Sequence, residues 1–188
     1  MKNFFLLFII FLSLSVDAQV NTSEVEQQFR DYSSLIKDKR FGRAIDQYAN
    51  EELLEIIPRE QILQSMEQIF NSPEIEFKIY DPQNINIDSE EFIKNNKSYC
   101  KLNYDQRIDL KFNSNVLSVE QLMTALSNEF GAANVQHNTQ TGYFEINSHK
   151  DAIATSTDRQ HWKFTVLEKN QIPVLRNFLP EELLRSLN

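Results

Sequence analysis

The sequence predicts an α+β domain, with helices first and a mostly antiparallel sheet carrying one inserted helix after them. Three observations carry this reading. Between residues 22 and 71 apolar side chains recur at helical spacing. From Ile75 onward they alternate with polar ones at strand spacing. At Ser118 a capping sequence restarts the helical spacing for one segment. Helices and strands that are segregated along the chain indicate α+β rather than α/β.

The helical third begins at Ser23-Glu24-Val25-Glu26, which reads as a capping box with Ser23 at the cap and Glu26 reaching back. Val25, Phe29, Tyr32 and Ile36 then form one apolar stripe. Lys37, Lys39 and Arg40 sit where positive charge suits the helix end. A second helix runs from Phe41 to about Tyr48. A third starts at Pro58, a first-turn position, and turns Ile62, Leu63, Met66, Ile69 and Phe70 inward. It stops before Ser72-Pro73.

The sheet opens with Ile75, Phe77 and Ile79, turns at Asp81-Pro82, and resumes at Ile85 and Ile87. The longest alternating stretch is Ser98 to Phe112. Its even positions, from Cys100 through Leu102 and Tyr104 to Leu110, are apolar except for Gln106 and the Tyr104 hydroxyl. Its odd positions include the ladder Asp105, Arg107, Asp109 and Lys111, for which cross-strand ion pairs on a wet face are the ordinary role. Ser118-Val119-Glu120-Gln121 caps the inserted helix near 118–130, and Gly131 can end it. Four strands are expected after it, at 142–147, 152–157, 161–167 and 172–176. Polar turns such as Ser148-His149-Lys150 separate them, and a short helix follows Pro180.

The first eighteen residues read as a signal peptide, with Lys2 ahead of the apolar run Phe4–Leu14 and small residues at Val16-Asp17-Ala18. That run falls short of the roughly twenty residues a transmembrane helix needs, so no stable membrane insertion is expected after cleavage. Residues 1–18 are thus expected to be removed, leaving a single domain over 19–188 in the periplasm or outside the cell. The net charge of −8 argues against nucleic acid, which calls for a basic face. Cys100 is the only cysteine, so no internal disulfide can form. Its inward position makes it a small buried hydrophobe. Asn21-Thr22-Ser23 matches a glycosylation sequon. Asp88-Ser89-Glu90-Glu91 lacks the ligand spacing of a calcium loop and reads as a solvated turn.

The order of elements resembles the NTF2-like superfamily, which includes the SnoaL-type polyketide cyclases. The run Trp162-Lys163-Phe164-Thr165-Val166 to Leu179-Pro180-Glu181-Glu182-Leu183 is similar to the closing strands and tail of such proteins. The resemblance covers most of residues 22–185; the segment 118–130 stands as an insertion in it. It implies a cone in which N-terminal helices pack on a curved sheet around a cavity. It also implies a homodimer through the outer sheet face. Members include isomerases, dehydratases, epoxide hydrolases, binders and association domains, so the fold leaves function open.

Tyr104 and Gln106 on the dry strand face, Tyr32 and Tyr48 on the helix stripes, and Trp162 are the candidate lining of that cavity. Gln106 either contacts a ligand or hydrogen-bonds to backbone. The three histidines, His137, His149 and His161, fit no zinc spacing, and no catalytic residue, metal or cofactor is assigned. His149 falls in an expected turn, and His161 points outward if Trp162 points inward. The expected function is an exported, non-catalytic binding or association module whose partners are a small hydrophobic ligand and a second copy of the chain. The alternative is a small-molecule enzyme of the cyclase or isomerase type, which would need an ionisable side chain in the cavity.

Overall fold

The computed structural model describes residues 20–113 and 116–185. The expected signal peptide lies outside the described residues. Four helices come first: α1 (Thr22–Lys37), α2 (Phe41–Tyr48), α3 (Glu51–Ile56) and α4 (Arg59–Phe70). Strands β1 (Ile75–Ile79), β2 (Gln83–Ile87), β3 (Phe92–Lys94) and β4 (Lys97–Phe112) follow. Then come α5 (Val119–Phe130), β5 (Val135–Asn138), β6 (Tyr143–Ser156) and β7 (Lys163–Leu167). Two short helices, α6 (Ile172–Leu175) and α7 (Glu181–Leu184), complete the described chain. The seven strands form one open antiparallel sheet, so the α+β class stands.

The sheet is organised by β4 and β6, which pair without a register break from Ser98↔Ser156 to Leu110↔Phe144. The outer edge of β4 carries β3, β2 and β1 in succession. The outer edge of β6 carries β7 toward its end and β5 toward its start. Neither β5 nor β7 reaches Asn147–Lys150, and neither β1 nor β2 pairs with Gln106 and Arg107 in the ladder. At that waist the ladder is two strands wide.

Alternation on β4 divides the packing. Its even residues Cys100, Leu102 and Tyr104 lie under Val25 and Phe29 of α1, beside Trp162 and Phe164. Further along the same face, Ile108, Leu110 and Phe112 lie under Met123, Leu126 and Phe130 of α5. The odd face is covered at one end only. There Tyr99, Ile153 and Leu167 pack against Leu175, Phe178, Leu179 and the leucines of α7.

Several local expectations are corrected. Asn21, not Ser23, caps α1, its Oδ1 accepting from the Glu24 amide at 3.4 Å. The helix starts at Thr22, which puts Ser23 inside its first turn and Asn21 in the cap position. Pro58 is the N-cap of α4 rather than a residue of its first turn. Helix α3 was not anticipated, although Asn50 followed by Glu51 and Glu52 is a start signal; Asn50 Oδ1 accepts from the Glu52 amide at 2.9 Å. Strands β3 and β5 were likewise unanticipated. Residues 142–157 do not form two strands around a turn. Ser148, His149 and Lys150 continue β6, because β4 offers them partners in Gln106, Asp105 and Tyr104. Ladder pairing here overrides polar composition. Of the strand expected at 172–176, Ile172–Leu175 are helical, since Pro173 has no amide for a ladder but suits a first turn. Ile69 and Val119, placed on apolar stripes, are exposed.

The capping box of α5 forms as expected, with Ser118 Oγ accepting from the Gln121 amide and Gln121 Oε1 accepting from the Ser118 amide. Urea unfolding should show Ser118→Ala costing about 1 kcal/mol. Phe29→Ala, which empties the contact between α1 and β4, should cost about 3–5 kcal/mol.

Candidate functional site

Four of the five candidate residues meet. Phe29 contacts Tyr104 edge-on with ring centroids 4.8 Å apart and contacts Phe164 at 5.2 Å. Tyr32 stacks on Phe164 at 5.8 Å and meets Tyr48 at 6.0 Å. Trp162 is buried in the same cluster. Helix spacing places Tyr32 one turn after Phe29, and strand alternation turns Trp162 and Phe164 to the same side. Burial pushes the phenols of Tyr32 and Tyr104 up, so both stay neutral and remain hydrogen-bond donors.

Gln106 does not join them. Its Nε2 donates to the carbonyls of Tyr80 at 2.8 Å and Arg107 at 3.0 Å. That satisfies a polar side chain on a largely apolar face and ties the β1–β2 connection to β4. Gln106 is therefore a structural residue.

Two cavities flank the aromatic cluster. The first, of about 320 Å³, lies between the helices and β7. Tyr32, Ile45, Leu53, Ile62, Met66 and Phe164 contribute most of its character, with Val174 and Leu175 of α6 closing one side. Among its described lining residues only the Tyr32 phenol can titrate. Its one buried, unpartnered polar atom is Thr165 Oγ1. The second, a polar cleft of about 600 Å³, lies at the end of the sheet between the α2–α3 junction, Lys97 and the β6–β7 turn. Tyr48 and Trp162 line this one.

The β6–β7 turn is a built structure. Asp158 Oδ1 accepts from the amides of Gln160 at 2.9 Å and His161 at 2.8 Å, while Oδ2 meets His161 Nδ1 at 2.7 Å. The His161 amide and ring and the Gln160 amide hold the Asp158 carboxyl far below its usual range. His161 points outward and Trp162 inward, as alternation required. Arg159 adds a two-toothed ion pair to Glu91 at 2.9 Å. Glu91 is thus no part of a solvated acidic turn; its side chain is mostly buried and fastens the approach to β3.

The odd-face ladder makes the expected cross-strand pairs. Arg107 of β4 reaches Glu145 of β6 at 3.1 Å, and Asp105 meets His149 at 2.9 Å; Arg107 also pairs within its own strand with Asp109 at 2.9 Å. Tyr80 donates its hydroxyl to Asp109 at 2.7 Å. His149 lies on β6, not in a turn. Among the described residues no group of three or more His, Cys, Asp or Glu side chains is placed to hold a metal ion. No helix among them is long and apolar enough to cross a membrane.

No family model, curated protein or solved structure matches the chain. The site is therefore read from its own chemistry. Asn50, Thr155 and Thr165 are the residues that sequence reasoning missed. Asn50 was legible as a cap. The two threonines sit in apolar runs, Ala152-Ile153-Ala154-Thr155 and Phe164-Thr165-Val166, where a β-branched residue reads as strand filler.

Cys100 is fully buried, and desolvation pushes its thiol up to about 12 from 9.0. Above pH 9 the unfolded chain releases this proton while the folded chain keeps it until about pH 12, so stability falls as pH rises across that window. Ellman's reagent should label Cys100 only after unfolding, and Cys100→Ala should flatten the alkaline loss of stability seen by thermal melts.

Proposed function

We propose that this chain is an exported, non-catalytic binding module of the NTF2-like type. Its ligand is a small, mostly apolar molecule with one hydrogen-bonding group, seated between the helices and β7. The observation that carries the reading is the cavity itself. Its volume of about 320 Å³ falls at the lower end of small-molecule sites. Its walls are aliphatic and aromatic, and its polar groups are few: the Tyr32 phenol, the Gln171 amide and the unpartnered Thr165 hydroxyl. An apolar cavity with few, placed polar groups binds and orients a ligand. Proton-transfer chemistry needs a base or acid within reach of the substrate, and these walls offer a neutral phenol only.

The NTF2-like assignment is supported by helices that precede the sheet and by a cavity between the two layers. Export is supported by the apolar run and small residues of the first eighteen positions.

The neutral apolar dye N-phenyl-1-naphthylamine tests the proposal. The protein should give saturable fluorescence enhancement. Ala49→Phe, which places a ring into the cavity from the end of α2, should weaken dye binding by at least tenfold while the melting temperature is retained. Dye binding unchanged in Ala49→Phe would sink the reading.

A further inference from the structure

The polar cleft is a second site with a chemistry of its own. We propose that it binds a neutral, hydroxyl-rich ring, a sugar of one or two units.

The cleft lining carries two lysines, Lys97 and Lys163, against two carboxylates, Glu51 and Asp158. Three of these four are already engaged. Lys97 pairs with Glu52 at 2.8 Å, Lys163 donates to the Gln47 carbonyl at 2.8 Å, and Asp158 holds His161 at 2.7 Å. Of the four only Glu51 is unengaged, and it is exposed to water, so the cleft holds no desolvated charge with which to select an ion, and a charged ligand would lose hydration there without a buried counter-charge to replace it.

Uncharged hydrogen-bonding groups remain. Thr155 is 6 % exposed, and its Oγ1 has no hydrogen-bond partner within the protein. Asn50 is 3 % exposed and spends Oδ1 on the Glu52 amide, which leaves its Nδ2 hydrogens without a partner among the described residues. Leaving the Thr155 hydroxyl unmade in the interior is costly, and a ligand that supplies the partner recovers the cost. A hydroxyl can both donate and accept, so a polyol meets Thr155 and the Asn50 amide with one kind of group. The half-buried Tyr48 ring offers a flat apolar patch suited to the face of a sugar ring. The volume of about 600 Å³ leaves room for more than one ring.

Trp162, the only tryptophan of the chain, lines the cleft and serves as the reporter. The full chain is titrated with glucose, N-acetylglucosamine and maltose, with gluconate and glucosamine as charged controls. At least one neutral sugar should change Trp162 emission saturably, and the charged pair should respond at least tenfold more weakly. Thr155→Val keeps the shape and removes the hydroxyl; it should weaken the neutral sugar about tenfold. Should that variant fail to fold, Gln47→Ala, at an exposed side chain on the cleft wall, should weaken it as well. Ala49→Phe, which fills the other cavity, should leave the sugar response intact, so the two sites fail or succeed separately. The proposal is overturned if no neutral sugar saturates, if the charged controls bind as well, or if the folded variants bind like the wild type. A hydroxyl that is merely buried would give Thr155→Val a higher melting temperature and unchanged sugar affinity.

Discussion

Everything else in this molecule hangs on the antiparallel pairing of β4 with β6. Two strands of 16 and 14 residues run side by side in unbroken register. Because side chains alternate with period two, a slip of one residue would turn over the faces of one strand against the other. Were β4 the strand to move, Cys100, Leu102 and Tyr104 would leave α1 and Tyr99 would leave the C-terminal helices; were it β6, Ile153 would leave them. Register is therefore enforced from both faces at one end of the pair and from one face under α5 at the other. The remaining strands are short and lean on this ribbon, as edge strands of a few residues must.

The aromatic cluster of Phe29, Tyr32, Tyr48 and Phe164 fills the space between α1, α2 and β7. Its rings meet tilted or edge-on more often than face to face, the arrangement that their quadrupoles favour. The cluster is also a partition. Tyr32 and Phe164 show a side to the apolar cavity, while Tyr48 and Trp162 show a side to the polar cleft. Neighbouring residues consequently serve unlike environments: Ala49 lines one space and Asn50 the other. The two threonine hydroxyls repeat that division across the β6–β7 pair, Thr155 in the cleft and Thr165 in the cavity.

The amphipathic elements were legible in the sequence because their periodicity spans many residues. Helix α1, helix α5 with its capping box, and β4 with Cys100 inward are examples. Elements set by a partner were not. Polar Ser148-His149-Lys150 looks like a turn until β4 is placed beside it. Strands β3 and β5, of three and four residues, are too short to show a period. Helix α6 was mistaken for a strand because a short apolar run fits both, and only Pro173 argued otherwise. Large rings on dry faces converge: Tyr32 borders the apolar cavity and Tyr48 and Trp162 the polar cleft, while Tyr104 is packed against Phe29 and lines neither. Gln106 stayed open between a ligand contact and a backbone bond because sequence cannot show the Tyr80 and Arg107 carbonyls that occupy it. The hydroxyls of Thr155 and Thr165 are visible only once the space around them is known.

The narrow waist at Gln106–Arg107 and Asn147–Ser148 has a mechanical meaning. On one side of it stand α1 to α3, both cavities and the C-terminal helices; on the other stand α5, β5 and β1. A two-stranded ribbon by itself twists more readily than a wide sheet. Two contacts brace this one: the Tyr80 amide donates to the Arg107 carbonyl at 3.2 Å, and Phe70 of α4 packs on Phe77 of β1 at 5.1 Å. Helix α4 is thus a splint across the waist, and a twist of the α5 end against the binding end has to break both contacts.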